Sequence, residues 1–178
     1  MSEMVFFTSD THFGHARMLD FRPFDTVEEM DNEMIFRWNC RINPGDRVYH
    51  LGDFSFHNRE KTAEILDQLA GQIHIIKGNH DKMLDRFRDR FASYQDYKTI
   101  RVGDQRLVLL HYAMRTWDMA HHGSWHLYGH SHGNLEDDPN ALSMDVGVDT
   151  NNLYPYPFWE IQDRMAKKKF VPVDHHGA

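Results

Sequence analysis

Short apolar runs alternate with amphipathic stretches along most of this chain, and each apolar run stops at a polar cluster. MVFFTS is apolar and rich in β-formers and ends at Asp10-Thr11-His12, which predicts a buried strand with polar side chains at its C-terminal end. The pattern recurs in RVYHLGD, from Arg47 to Gly52-Asp53, and in QIHIIKGNHD, from Gln72 to Gly78-Asn79-His80-Asp81. It recurs again in RLVLLHY, from Arg106 to His111, and in WHLYGHSH, which carries His130 and His132. Five predicted strands thus end in Asp, His or Asn, where a crevice at strand ends draws its ligands.

Between the first three strands the spacing turns helical. Val27, Met30, Met34 and Trp38 form a stripe that reads as core, with Asp25 or Thr26 as cap. Asn43-Pro44-Gly45-Asp46 turns the chain; NREKTAEILDQL predicts a helix burying Ile65, Leu66 and Leu69 that ends near Gly71, and KMLDRFRDRF predicts a third. The order then changes. YKTIRV, a Gly103-Asp104 turn and RLVLLH predict an antiparallel hairpin that opens a second sheet. MDVGVD supplies a further strand, and PFWEIQDRMAKK a terminal helix with Pro157 in its first turn. With no repeat, low-complexity tract or linker, residues 1–178 read as a single domain.

Composition narrows the chemistry. At 40% hydrophobic and 26% charged residues the chain is ordinary globular sequence, and no window reaches the roughly 18-residue apolar run of a membrane span. The N-terminus MSEMVFFTSD has no secretory pattern, so a cytoplasmic location is expected. Cys40 is the sole cysteine, which excludes an internal disulfide and a sulfur-rich zinc site; any metal is held by nitrogen and oxygen. A net charge of −7 opposes binding of a long nucleic-acid duplex and favours a small or locally held substrate. Of the 14 histidines, His57, His175 and His176 read as solvated surface groups.

Taken singly, each polar cluster is a common turn, cap or satisfied core group. The ordered set DTH, GD, GNHD, H and GHSH is another matter, and it resembles the calcineurin-like metallophosphoesterase superfamily, in particular its small bacterial and phage members. The resemblance implies an α/β (α+β) fold, a four-layer α/β/β/α sandwich with two mixed β-sheets flanked by helices. It further implies two divalent metal ions, one held by Asp10, His12, Asp53 and His132 and the other by Asp53, Asn79, His111 and His130, with Asp53 bridging. Residues two apart on an extended backbone point the same way, so His130 and His132 are expected to face neighbouring ions, with Gly129 and Gly133 easing the approach. Carboxylate, imidazole and amide donors suit Mn, Fe, Zn, Co or Ni, with manganese favoured, over calcium.

Two ions sharing a carboxylate, about 3.5 to 4 Å apart in such sites, acidify a bridging water to hydroxide and offset phosphoryl charge. Hydrolysis of a phosphoester is the expected reaction, with Asp53 and His80 as the catalytic residues. The resemblance places His80 near the scissile group, available as proton donor to the leaving alkoxide, with Asp53 or Asp81 to orient it; read as a core histidine it would matter for folding instead. The second block, GDFSFH, lacks the acid and arginine of protein Ser/Thr phosphatases (GDxxDRG), and the chain has no room for the accessory domain of DNA-repair nucleases. A phosphodiesterase on a nucleotide-like or other small phosphoester is the leading expectation. A phosphomonoesterase on a small metabolite and a non-catalytic metal-binding module are the alternatives. Expected substrate contacts are His15 and the insertion Arg115–Ser124, in which Arg115 pairs with a phosphate oxygen and Trp117 either stacks on a base or anchors the loop.

Overall fold

The computed structural model describes residues 3–173. Its first sheet contains β1 (Val5–Thr8), β2 (Arg47–His50), β3 (Gln72–Ile76), β4 (Ser93–Gln95) and β9 (Tyr156–Pro157), in the order β4-β3-β2-β1-β9. All neighbours run parallel except β9, which pairs antiparallel with β1. The second sheet has the order β5-β6-β7-β8, from β5 (Tyr97–Val102), β6 (Gln105–Leu110), β7 (Trp125–Tyr128) and β8 (Ser143–Asp145). Here β5 and β6 form the expected antiparallel hairpin, and β6, β7 and β8 run parallel. Both sheets are mixed, as expected.

Alternation along β1 divides the core in two. Phe6 faces a cluster with Met30, Met34 and Trp38 of α1 (Val27–Arg41) and Ile65 and Leu66 of α2 (Arg59–Gln68). Val5 and Phe7 face the other way, onto Leu107, Leu109, Leu127 and Met144 of the second sheet. The helices start where the side chains predict. Thr26 accepts from the Glu29 amide at 3.1 Å and Asn58 from the Lys61 amide at 2.9 Å, caps worth about 1 kcal/mol each. α3 (Phe158–Met165) begins one residue later than expected, with Pro157 as its N-cap because that proline is still paired in β9. α3 packs on β9 and β1, and beyond its end Lys168 and Lys169 bond to residues 137–143. It therefore closes one side of the interior. At His126 the second sheet meets Trp117 of the 113–124 segment, ring centroids 5.4 Å apart, and that segment carries a short 3₁₀ turn, Ala120–His122.

Three further expectations change. KMLDRFRDRF lies in a 3₁₀ segment, Asp81–Arg90, whose buried residues Asp81, Leu84 and Phe87 recur every three positions, the repeat of a three-residue turn. β4 and β9 are too short to register as apolar runs. Within MDVGVD only Met144-Asp145 is strand, and Val148–Thr150 form a 3₁₀ turn. His57 is not a solvated group either. Its Nε2 lies 2.6 Å from Oδ2 of buried Asp31, whose Oδ1 accepts the Gly14 amide, so the pair fixes the loop after β1. His175 and His176 lie outside the described residues.

Candidate metal centre

The parallel pairing of β1 and β2 continues into the loops beyond them. Asp10 N donates to Gly52 O at 2.9 Å, His12 N to Asp53 O at 3.0 Å and Phe13 N to Phe54 O at 3.0 Å. Asp81 buttresses this edge, since its carboxylate accepts the backbone amides of Asp53, Phe54 and Gly78 at 2.8–2.9 Å. Five of the seven expected ligand residues, Asp10, His12, Asp53, His130 and His132, have φ between 48° and 67°. Such left-handed backbone costs on the order of 1–3 kcal/mol per residue and persists only where its surroundings over-determine it. The extended-backbone argument for His130 and His132 therefore fails: φ of 67° and 48° turns the chain at each, and the turns aim the rings. Close approach does hold at Gly129, where a Cβ would sit 2.0 Å from Ser9 Oγ and 2.5 Å from Asp10 Oδ2. At Gly78 a Cβ would fall 2.1 Å from Asp53 Oδ1.

Two groups of metal-binding side chains result, each with its donor atoms within 4.8 Å of one another. Asp10, His12 and His132 form one, and Asp53, His111 and His130 the other. Asp53 Oδ2 joins them, 3.7 Å from His12 Nε2 and 3.6 Å from His111 Nε2. Asn79 belongs with the second group, its Oδ1 3.1 Å from His111 Nε2. In the first group Asp10 Oδ1 lies 3.9 Å from His12 Nε2 and 4.0 Å from His132 Nε2, and neither Asp10 Oδ1 nor His12 Nε2 has a hydrogen-bond partner although both are buried. Such buried polar atoms are costly unless something compensates them.

The rings are aimed from behind. His111 Nδ1 donates to the Leu51 carbonyl at 2.6 Å, an oxygen that can only accept, so Nε2 presents its lone pair to the centre. That lone pair, Asn79 Oδ1 and Asp53 Oδ2 are three converging acceptors, a set that a cation satisfies. His132 Nδ1 lies 2.7 Å from Asp149 Oδ2, and Asp149 is clasped by the buried Arg22 guanidinium at 2.7 and 2.9 Å. Arg22 also donates to the carbonyls of Asp10 and Thr11. Burial pushes the His12 imidazole down to about 3, toward the neutral ligating form, but pushes the Asp10 carboxyl up to about 7, which leaves that carboxylate costly to ionise until a cation stands beside it. Burial works against the Asp53 carboxylate, but the neighbouring His111 ring, the hydrogen bond from the His80 amide and nearby imidazole charge hold it at about 2. Ionised carboxylate and neutral imidazole are the forms that ligate divalent metal.

Residues 4–142 match the calcineurin-like phosphoesterase superfamily domain. The chain belongs to that superfamily. It is a metal-dependent phosphoesterase. The uncharacterized protein MJ1445 of Methanocaldococcus jannaschii is 34% identical over 176 residues, 94% of each chain. The Gene 66 protein of Mycobacterium phage D29 is 26% identical, covering 85% of this chain and 91% of the phage protein. Among solved structures, a protein of unknown function from Aquifex aeolicus superposes with a TM-score of 0.75 at 26% identity, over 91% of this chain and 99% of that one. An archaeal phosphodiesterase shares the fold, with a TM-score of 0.52 at 21% identity over 80% and 82% of the two chains.

Within this phosphoesterase fold the remaining predicted residues separate. His80 is exposed beside the centre, its ring 6.1 Å from that of His12. Neither carboxylate named as its orienter bonds the imidazole: Asp53 accepts the His80 amide, and Asp81 is taken up by the loop amides. The ring is instead placed against Phe56, centroids 4.9 Å apart, and Phe56 stacks on His15 at 3.9 Å and 8°. Arg115 and Trp117 line a cleft with Tyr128 and Leu135 that includes none of the seven ligand residues. Trp117 donates from Nε1 to Ser124 O at 3.0 Å and packs on the second core, which gives it the anchoring role. Sequence reasoning missed Phe56, Arg22, Asp149 and Tyr112, whose hydroxyl donates to Asn79 Oδ1 at 3.1 Å. Asp149 alone had a signal, as an acid just past an apolar stretch.

Proposed function

We propose that this phosphoesterase is a dinuclear-metal phosphodiesterase acting on a nucleotide-like phosphoester. One observation carries the two-ion reading: Asp53 Oδ2 lies between His12 Nε2 of one group and His111 Nε2 of the other, at 3.7 and 3.6 Å. Asp10, His12, Asp53 and His132 would hold one ion and Asp53, Asn79, His111 and His130 the other, with manganese favoured for this nitrogen and oxygen donor set. When bound, the ions supply positive charge to the phosphoryl oxygens and acidify water. His80, exposed and kept beside the centre by Phe56, donates a proton to the leaving oxygen. Exposed Cys40 suits a reducing compartment, and we place the protein in the cytoplasm.

Hydrolysis of methyl p-nitrophenyl phosphate with added manganese tests the reading. Asp53→Asn is expected to lower kcat/KM at least 100-fold and to reduce bound manganese from two equivalents. Full turnover in a metal-free preparation, or in that variant, would falsify it.

A further inference from the structure

A cavity of about 520 Å³ opens beside the centre, and His132 is part of its wall. The Arg22–Asp149 pair that supports that histidine also lines the cavity, together with residues of the turns that carry the two. On one side, the turn that plants Arg22 sends the preceding residue outward: the amides of Phe21 and Arg22 both bond to Met18 O, and Phe21 is 77% exposed. On the other, the turn carrying Asp149 continues into Asn152 and Leu153, both left-handed at φ 47° and 62°, with Leu153 N bonded to Val148 O at 2.8 Å. Left-handed backbone at a bulky leucine is an outlier that surroundings must hold, as at functional clefts.

The chemistry of the wall selects its occupant. Its apolar surface includes Met18, Phe21, Phe24, Val148 and Leu153, and its amides are those of Asn134 and Asn152. Its two cations are engaged: Arg22 by Asp149, and Arg37 by Glu33 at 2.6 Å and by the Asn152 carbonyl. A second phosphate or a phosphosugar finds no free cation among these described residues, whereas a flat, uncharged ring with a hydrogen-bonding edge finds an aromatic face and amides. Neither His80 nor Phe56 lines the cavity.

We infer that this cavity takes the nucleobase of the substrate's non-leaving arm, with Phe21 stacking on it, while the leaving arm lies toward His80. The inference rests on the phosphodiesterase reading above and adds the substrate class to it.

Two manganese-supported substrates with one leaving group test it: thymidine 5′-(p-nitrophenyl phosphate) and methyl p-nitrophenyl phosphate. The protein is expected to prefer the thymidine ester. Phe21→Ala should lower the ratio of the two kcat/KM values roughly 10- to 100-fold, the usual size of one base–aromatic stack, mainly through KM for the thymidine ester. Phe21→Trp should restore the ratio, and Phe36→Ala, at an exposed aromatic outside this cavity, should leave it unchanged. Equal efficiency on both esters, or a ratio unmoved by Phe21→Ala, overturns the inference and leaves the phosphodiesterase intact. Hydrolysis of neither ester overturns both.

Discussion

The two candidate ligand groups meet at Asp53, and Asp10 Oδ2 accepts the His130 amide at 2.9 Å, but they are supported differently. Asp10 and His12 are buried, and His132 is backed by the Asp149–Arg22 pair, which reaches under both loops of its own group. In the second group His111 is equally buried, but His130 and Asn79 are exposed and are steadied by Tyr112, through a ring contact of 4.7 Å and a hydroxyl bond of 3.1 Å. One set is thus largely buried and backed by an ion pair; the other sits half in solvent, its exposed members steadied by Tyr112 and, at His130, by the Asp10 carboxylate. The difference teaches where each kind of support is useful. On the two-ion proposal, the rigid group would hold its ion against loss, and the open one would admit the phosphoryl group between metal and solvent.

Removing Arg22 should break the comparison most strongly. Arg22→Met leaves the half-buried Asp149 carboxylate without its cation, a loss of about 3 kcal/mol in unfolding free energy by urea denaturation. In the same variant one calorimetric manganese-binding event should weaken roughly 10- to 100-fold, as when a metal ligand's hydrogen-bonding partner is lost, while the other moves less than threefold. Equal weakening of both events would mean that the pair does not serve one group in particular.

Acid should separate the halves next. His126 accepts the Met114 amide on Nε2 and contacts the Val108 carbonyl through Nδ1, steadying the segment that follows His111 and Tyr112. Burial pushes its imidazole down to about 4, below the ordinary value near 6.5. The neutral ring's contribution is fully present above about pH 6.5 and is lost as pH falls toward 4, up to about 3 kcal/mol in all. By contrast, burial raises Asp149 but His132 and Arg22 outweigh it and hold the carboxylate at about 2, so its contribution lasts above pH 4 and goes only as pH falls further. Amide protection factors, exchange rates corrected for the intrinsic pH dependence, should therefore fall between pH 7 and 4 at Met114 before they do at Asp10 and Thr11, and His126→Gln should flatten that dependence; protection that falls together in both segments contradicts it.

The smallest effect belongs to Tyr112. Tyr112→Phe removes a single exposed hydroxyl bond to Asn79 and should cost about 1 kcal/mol, near fivefold, in affinity for one manganese ion. An unchanged titration would show that Asn79 needs no such support.

Much of this architecture was legible beforehand. Strands β1, β2, β3, β6 and β7 and helices α1 and α2 follow from apolar periodicity and caps, because each buries a face long enough to leave a pattern. β4 and β9 escape, being three and two residues long. KMLDRFRDRF predicts a helix, and only its burial at every third residue marks it as 3₁₀. The polar residues at the strand ends were visible as candidates because apolar runs stop there; their aim was not.

By itself, then, the sequence determined which side chains stand at the ends of the strands, that any metal must be bound by nitrogen and oxygen, and the superfamily to which the chain belongs. Only the tertiary structure decided the left-handed turns at five expected ligand residues, the anchoring of Trp117 in the second core, and the joining of Arg22 to Asp149 across 127 positions to support His132 and line a cavity. The reason is physical. Periodicity records which face of an element is buried, whereas the partner a buried charge meets depends on how separate elements are stacked, and no local pattern carries that information.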